Sequence, residues 1–256
     1  MVAVSVVLPT FNRAATLARA IGSVLNQTHS PTELIVVDDA SVDETHHILE
    51  QFESDGRVRQ IRLPQRRGAA AARNVGIENA RCQLIGFHDS DDEWLPLKLA
   101  KQVEAFAADD EDLGVVYSDM MRIRNDGNSC YFQAPDVQTG NHVIDPATKQ
   151  YRVQNIGIQS CMIRRRFLDQ AGGFNESYPA LEDLELFIRL SQICRFTRLP
   201  EALVNYYETE GISSDRQQVA LARRKLLRQY GKRMDRAFVA SELSEIAEIQ
   251  RKAASV

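Results

Sequence analysis

Asp89, Asp91, Asp92 and Glu93 crowd into five positions of "LIGFHDSDDEWLP", directly after the apolar Leu84, Ile85 and Phe87. One aspartate there would read as a helix N-cap, suited to the positive end of the helix dipole. Several like charges repel one another, however, and capping needs only one. A hard divalent cation held by carboxylate oxygens is the usual compensation, and Mg²⁺ commonly sits between one or two carboxylates and substrate phosphates. We therefore expect Mg²⁺ or Mn²⁺ and a phosphorylated ligand. A second acidic pair, Asp38 and Asp39 in "VVDDAS", follows another apolar run, and for it capping and ligand binding stay equally open. A third cluster, Glu182 and Asp183 in "YPALEDLELF", opens a stretch with Leu184, Phe187, Ile188 and Leu190 on its apolar side. Taken alone, that cluster is an acid-rich helix start.

The elements that must position these acids are legible as alternation. "VSVVLP", "ELIVV", "VRQIRL", "QLIGF" and "LGVVYSDMMRI" read as strands, the first four each followed by a helical pattern. Strands without polar alternation, separated by helices, predict an α/β fold with a mainly parallel central sheet flanked by helices. Both early acidic clusters then fall at the carboxyl ends of strands, where open α/β sheets bind ligands. "RNDGN" predicts a hairpin turn, residues 128–155 a loop-rich stretch, and residues 157–163 a strand. Helices are expected at "RRRFLDQAGG" and "LEDLELFIRLSQI", and one more from Arg216 to Arg236. This last helix carries eight basic residues and one acid, with Leu226, Tyr230, Met234 and Phe238 recurring every four positions.

Composition narrows the classes. At 256 residues and 44% hydrophobic content the chain can bury one large core. A formal charge of -4 argues against a nucleic-acid partner. Cys82, Cys130, Cys161 and Cys194 lie far apart and predict reduced thiols, hence a cytoplasmic setting. "MVAVSVVLPTFNR" has no basic lead and too short an apolar run for a signal peptide or a membrane span. There is no G-x-x-x-x-G-K-[ST] and no G-x-G-x-x-G after the first strand, so neither a P-loop enzyme nor a dinucleotide-binding domain is expected.

Four stretches together resemble the family 2 inverting glycosyltransferases, which have the GT-A fold. They are "VSVVLPTFNRAATLARAIGSVLNQTHSPTELIVVDDASVDET", "GAAAARNVGIENARCQLIGFHDSDDEWLP", "AGGFNES" and "LEDLELFIRL", in the family's order across about residues 3–215. The resemblance implies that Pro9, Thr10 and Asn12 line a nucleotide pocket and that Asp39 accepts a hydrogen bond from the base, a uracil N–H first among candidates. Arg73 would lie near the nucleotide or its phosphates, against the alternative of a solvated helix arginine. Asp89 and Asp91 match the D-x-D pair, with Asp89 towards the ribose and Asp91 on the metal, while Asp92 is the weaker ligand and would cap the next helix. Asp183 would be the catalytic base, with Glu182 supporting it. The implied reaction moves a sugar from a nucleotide-sugar donor, a UDP-sugar first, to a hydroxyl of a glycan or lipid-linked acceptor.

The expected division is a GT-A domain over 1–215, with a nucleotide-sugar half 1–123 and an acceptor and base half 124–215. A C-terminal helical extension covers 216–256. Its basic face suits peripheral contact with anionic lipid, and a solvated helix or an oligomer contact suits it equally. The pattern breaks at "NYYETEGISSD", where Tyr207 and Thr209 stand near the positions of the family's Arg and His. A non-catalytic nucleotide-binding scaffold is therefore one rival reading. A sugar nucleotidyltransferase is the other, weakened because "LPTFNRAAT" lacks that class's glycine-rich opening loop. His88 and Cys161 are expected to be core residues, and Trp94 to pack the loop beneath the site.

Overall fold

A computed structural model describes residues 2–137, 156–209, 215–234 and 236–254. Strand β1 (Val4–Thr10) leads to helix α1 (Ala14–Leu25), β2 (Glu33–Asp38) to α2 (Thr45–Glu50), and β3 (Val58–Arg62) to α3 (Ala69–Asn79). After β4 (Leu84–Phe87) come a two-residue β5 (Glu93–Trp94), α4 (Lys98–Ala107), β6 (Leu113–Ile123) and β7 (Ser129–Phe132). Then follow β8 (Met162–Arg164), α5 (Arg165–Ala171), α6 (Glu182–Leu190), β9 (Arg195–Tyr207), α7 (Arg216–Tyr230) and α8 (Arg236–Ala254).

One sheet runs in the order β3-β2-β1-β4-β8-β6-β9-β5, with β7 added along β6. The first four strands pair in parallel, as their crossover helices require. Beyond them the sheet is mixed: β8 is antiparallel to β4 and β6, while β9 runs parallel to β6. Successive side chains of β1 serve opposite faces. Val7 joins Ile35, Val37 and Phe87 in a core with Leu186 and Leu226, whereas Val4, Val6 and Leu8 join Leu34, Val36, Leu17 and Leu99 in the other. Two covered faces explain why the strands carry unbroken apolar runs. Helix α3 lies against β1 so closely that a Cβ on Gly76 would come within 2.3 Å of Val7 Cγ1.

Several expectations change here. The strand expected over 157–163 is a 3-10 turn at Ile158–Ser160 and a strand of only three residues. The long β9 was not foreseen, because polar residues and Pro200 interrupt its pattern and a bulged register carries it past them. The helix expected from Arg216 to Arg236 stops at Tyr230, where Gly231–Arg233 make a 3-10 turn before α8. Most of its four-residue stripe is core nonetheless: Leu226, Tyr230 and Met234 are buried, and Tyr230 Oη donates to the buried Glu185 of α6 at 2.9 Å. The predicted hairpin turn is present, with Gly127 in the left-handed region at φ 81° between β6 and β7. Most of the expected loop-rich stretch, from 138 to 155, lies outside the described residues.

Candidate active site

The acid loop follows β4 and ends in β5, which lies antiparallel on β9 with Glu93 opposite Asn205 and Trp94 opposite Val204. A strand from each half of the chain thus holds the loop. Asp92 fastens it: buried, it accepts the backbone N–H of Tyr207 at 3.0 Å. It does not cap the next helix, because α4 starts only at Lys98 and has Leu97 at its cap position. Burial, then the neighbouring Asp89 and Asp91, push its carboxyl well above the usual range, which suits a structural acid.

Asp89 and Asp91 stay partly open, with side chains 26% and 18% exposed, and each meets an arginine. Arg73 on α3 donates through Nη2 to Asp89 at 2.8 Å and through Nη1 to Glu182 at 2.7 Å, and its guanidinium lies 5.4 Å from the Phe174 ring centre. Its side chain is only 7% exposed, so it is not a solvated helix arginine. Burial opposes its charge, but the carboxylates of Asp89 and Glu182 outweigh that cost and hold it protonated. Burial also raises Asp89, with Arg73 pulling against it and Asp91 adding to it.

Glu182 and Asp183 open α6 behind Leu181, a leucine in the left-handed region at φ 58°. Such strain in a non-glycine residue clusters at functional sites. Asp183 accepts the N–H of Leu184 at 2.7 Å. Burial, followed by the charge of Glu182, pushes its pKa up to about 7, with Arg73 pulling it down. Arg73 bridges the acid loop to the start of α6, so Asp89, Glu182 and Asp183 share one site.

The Asp38–Asp39 pair borders it through loops. Thr10 ends β1, next to Pro9, and its buried hydroxyl has no hydrogen-bond partner. Asn12, at φ 51°, accepts the N–H of Val42 on its side-chain oxygen and donates its own N–H to Ser41 Oγ, joining the loops after β1 and β2. Neither Asp38 nor Asp39 caps α2. Asp38 accepts Ser41 N–H and pairs with Arg62, whereas Asp39 accepts the N–H groups of Arg67 and Gly68, both at 2.7 Å, just before α3. Each Asp39 oxygen has a second lone pair beyond the backbone N–H it accepts.

Sequence reasoning missed a row on α1. Arg13, Thr16 and Arg19, three residues apart, all reach the acid loop. Arg13 Nη2 lies 3.3 Å from Asp91 Oδ2, Thr16 Oγ1 donates to the Ser90 carbonyl, and Arg19 Nη2 donates to the Asp91 carbonyl. The i, i+3, i+6 spacing, off the Leu17–Ile21–Val24 stripe, was the available signal. At the end of β9 Tyr207 Oη donates to Glu93, just beyond it Thr209 Oγ1 donates to Asp91 Oδ2 at 2.5 Å, and the Arg19 guanidinium stacks 3.8 Å from the centre of the Tyr207 ring. Residues standing where basic groups were expected therefore do touch the acid loop.

The three packing expectations hold. His88 is fully buried beside Trp94, burial depresses its basicity, and its nearest polar partner is Ser23. Trp94 is buried and donates to the Gln159 carbonyl. Cys161 is buried, and burial pushes its thiol up to about 12.

Among the described residues no group of three or more His, Cys, Asp or Glu side chains is placed to hold a metal. A cation carried mainly by a diphosphate needs only one or two protein carboxylates, and the partly open Asp91 and Asp89 supply that number. The residues fit such an ion and do not fit a dedicated all-protein cage.

The family model "Glycosyl transferase family 2" matches residues 5–172. The chain belongs to this family. Across 141 residues it is 34% identical to the Escherichia coli UDP-Glc:alpha-D-GlcNAc-diphosphoundecaprenol beta-1,3-glucosyltransferase WfgD, covering 55% of this chain and 54% of that one. It thus spans about half the length of that curated relative. Among solved structures, S. aureus TarS 1-349 in complex with UDP-GlcNAc aligns with TM-score 0.66 and 22% identity over 96% of this chain and 72% of that one. Mannosyltransferase PcManGT from Pyrobaculum calidifontis, in complex with GDP-Man and Mn²⁺, aligns with TM-score 0.66 and 18% identity over 99% and 75%. At such identities these likenesses establish the fold, GT-A in a family 2 chain. No helix among the described residues is long and apolar enough to cross a membrane.

Proposed function

We propose that this chain transfers a sugar, with inversion, from a nucleoside diphosphate sugar to a hydroxyl of a glycan or lipid-linked acceptor. UDP-sugars are the first choice of donor. The observation that carries the reading is the Arg73 fork, which ties Asp89 of the D-x-D pair to Glu182, the neighbour of the candidate base Asp183. Donor-side and acceptor-side acids thereby share one cation.

Asp183 takes the proton from the incoming hydroxyl. Its raised pKa of about 7 matches a base that must hold a proton briefly near neutral pH. Glu182 keeps Arg73 in place and, by its charge, keeps Asp183 basic. Asp91, with Asp89 beside it, holds Mg²⁺ or Mn²⁺. When bound, that ion supplies Lewis-acid stabilisation of charge on the leaving diphosphate. Asp39 and the buried hydroxyl of Thr10 offer polar groups to the nucleoside, while Pro9 and Asn12 shape the loop beside it. The nucleotide half, 1–123, and the acceptor half, 124–215, keep those roles in this reading, and the exposed basic residues of α7 remain available to an anionic surface.

Calorimetric titration with UDP, GDP, CDP and dTDP, each with Mn²⁺ and again with EDTA, tests it. Metal-dependent binding of one diphosphate supports the assignment and picks the donor nucleotide. Binding of none by the folded protein overturns the reading and leaves only a scaffold whose nucleotide site is degenerate.

A further inference from the structure

The acid loop is gripped from two sides, and each side holds a different part of it. Helix α1 takes the backbone: Thr16 Oγ1 donates to the Ser90 carbonyl at 2.8 Å and Arg19 Nη2 to the Asp91 carbonyl at 2.5 Å. The end of β9 takes the side chains. Tyr207 donates its N–H to Asp92 and its Oη to Glu93, which also accepts from Asn205 at 2.9 Å. The two grips meet where the Arg19 guanidinium lies 3.8 Å from the centre of the Tyr207 ring. Arg19 forms no ion pair with a carboxylate among the described residues, and its Nε is buried without a hydrogen-bond partner. A guanidinium held by a ring face and a carbonyl is fixed in direction, since it must lie over the ring and donate along the carbonyl at once. The carbonyl it holds belongs to the peptide between Asp91 and the buried Asp92, so fixing it fixes the angle between those two carboxylates.

We infer that Arg19 is a positioning residue for the metal: stacked on Tyr207, it holds the Asp91 carbonyl and thereby aims the Asp91 carboxylate at the cation. The inference rests on the proposed role of Asp91 as metal ligand. Arg19 acts through the Asp91 backbone and not as a ligand. Tyr207 is its platform, and the ring sets the plane in which the N–H groups point. A planar guanidinium stacks and donates in its own plane together, which a compact ammonium does not reproduce. The two residues form one device, because the stack is what directs the hydrogen bond.

The test is Mn²⁺ binding, alone and again with UDP, followed through the free-ion paramagnetic resonance signal at a temperature where melts show every variant folded. Arg19→Lys keeps the charge but not the planar fork, and it should bind Mn²⁺ about tenfold more weakly, the scale of one lost charge-assisted hydrogen bond. Tyr207→Leu should weaken Mn²⁺ about fivefold, the scale of a lost cation–ring contact, and Tyr207→Phe, which keeps the ring, should recover most of that. The double variant Arg19→Lys/Tyr207→Leu should be no weaker than Arg19→Lys alone, because one device can be lost only once. If Arg19→Lys lowers the melting temperature and leaves Mn²⁺ affinity unchanged, Arg19 is structural and the inference is wrong. If Arg19→Gln tightens Mn²⁺, Arg19 acts as a repelling charge and aims nothing. If the two losses multiply in the double variant, the residues act separately and the shared device is wrong. If Asp91→Asn binds Mn²⁺ as wild type does, or wild type binds none under either condition, the metal assignment fails and the inference fails with it.

Discussion

Arg73 and Glu182 are 109 residues apart in the chain and 2.7 Å apart in space. The same guanidinium reaches Asp89, so a helix of the first half holds both the acid loop and the start of α6. Position and charge are fixed together. Any shift of α3 alters the spacing of Asp89 from Glu182 and Asp183 and also the field around Asp89 and Asp183.

Arg73→Ala should therefore destabilise the protein by about 3 kcal/mol, since it strands two largely buried carboxylates. Urea denaturation measures the loss. The deficit should shrink as pH falls through the carboxylate range, because Asp89, whose carboxyl burial holds above its ordinary value, no longer needs the cation once protonated. An equal deficit at every pH would mean that lost packing, not stranded charge, is the cause.

Asp183 gives a signed pH prediction. Its folded-state pKa of about 7 lies above the ordinary carboxylate value, so the folded protein binds the extra proton between about 4 and 7. Stability from this group is thus full below about pH 4 and is lost as pH rises through 7. Asp183→Asn should melt higher than wild type at pH 8 and match it near pH 4. Transfer by the wild type should fall on the acid side of about pH 7, and Asp183→Asn should bind donor yet turn over none.

Lys98 runs the other way. Fully buried, with its amine 3.8 Å from the centre of the Trp94 ring and bonded to Gln102, it has a pKa lowered by burial to about 7. The unfolded chain then binds the extra proton between about 7 and 10, so stability rises with pH across that window. Lys98→Met should gain most relative to wild type at pH 6, with the gap closing by about 1.4 kcal/mol per pH unit between 7 and 9. Paired thermal melts at the two ends read it directly.

Gly76 and Gly22 form a matched pair on α3 and α1. Gly76→Ala drives a methyl into Val7 on β1 and should cost about 1–3 kcal/mol. It should also weaken nucleotide binding, because Arg73 is one turn earlier on the same helix. Gly22→Ala meets nothing within 4 Å and should stabilise by up to about 1 kcal/mol. Chemical denaturation of both variants, with nucleotide titration of the first, checks the pair.

Local pattern carried much of this fold. β1, β2 and β4 are nearly unbroken apolar runs and α1 repeats apolar residues at helix period, and the acids after β2 and β4 sit at strand ends where a parallel sheet leaves them. β9 escaped because its interrupted run is completed only by pairing with β6. The break between α7 and α8 escaped because a spacing of four continues through Gly231 as if the helix did. Within the site, the acids were legible as an unbalanced concentration of like charge. Their counterions were not, since nothing local says that Arg73 reaches α6 or that Arg13 reaches the acid loop across 78 residues of sequence. Motif resemblance named Asp183, and long-range contact supplied its surroundings.

The β5–β9 ladder bears on anyone who would recombine these enzymes. Exchanging everything after residue 123 for a relative's sequence, to borrow its acceptor preference, would also exchange Asn205, Tyr207 and Thr209, the partners of Glu93, Asp92 and Asp91. The seam of a working chimaera therefore cannot follow the primary structure in one cut. The strip from about 203 to 209 has to travel with the parent that supplies the acid loop, or the graft inherits that loop with no wall behind it.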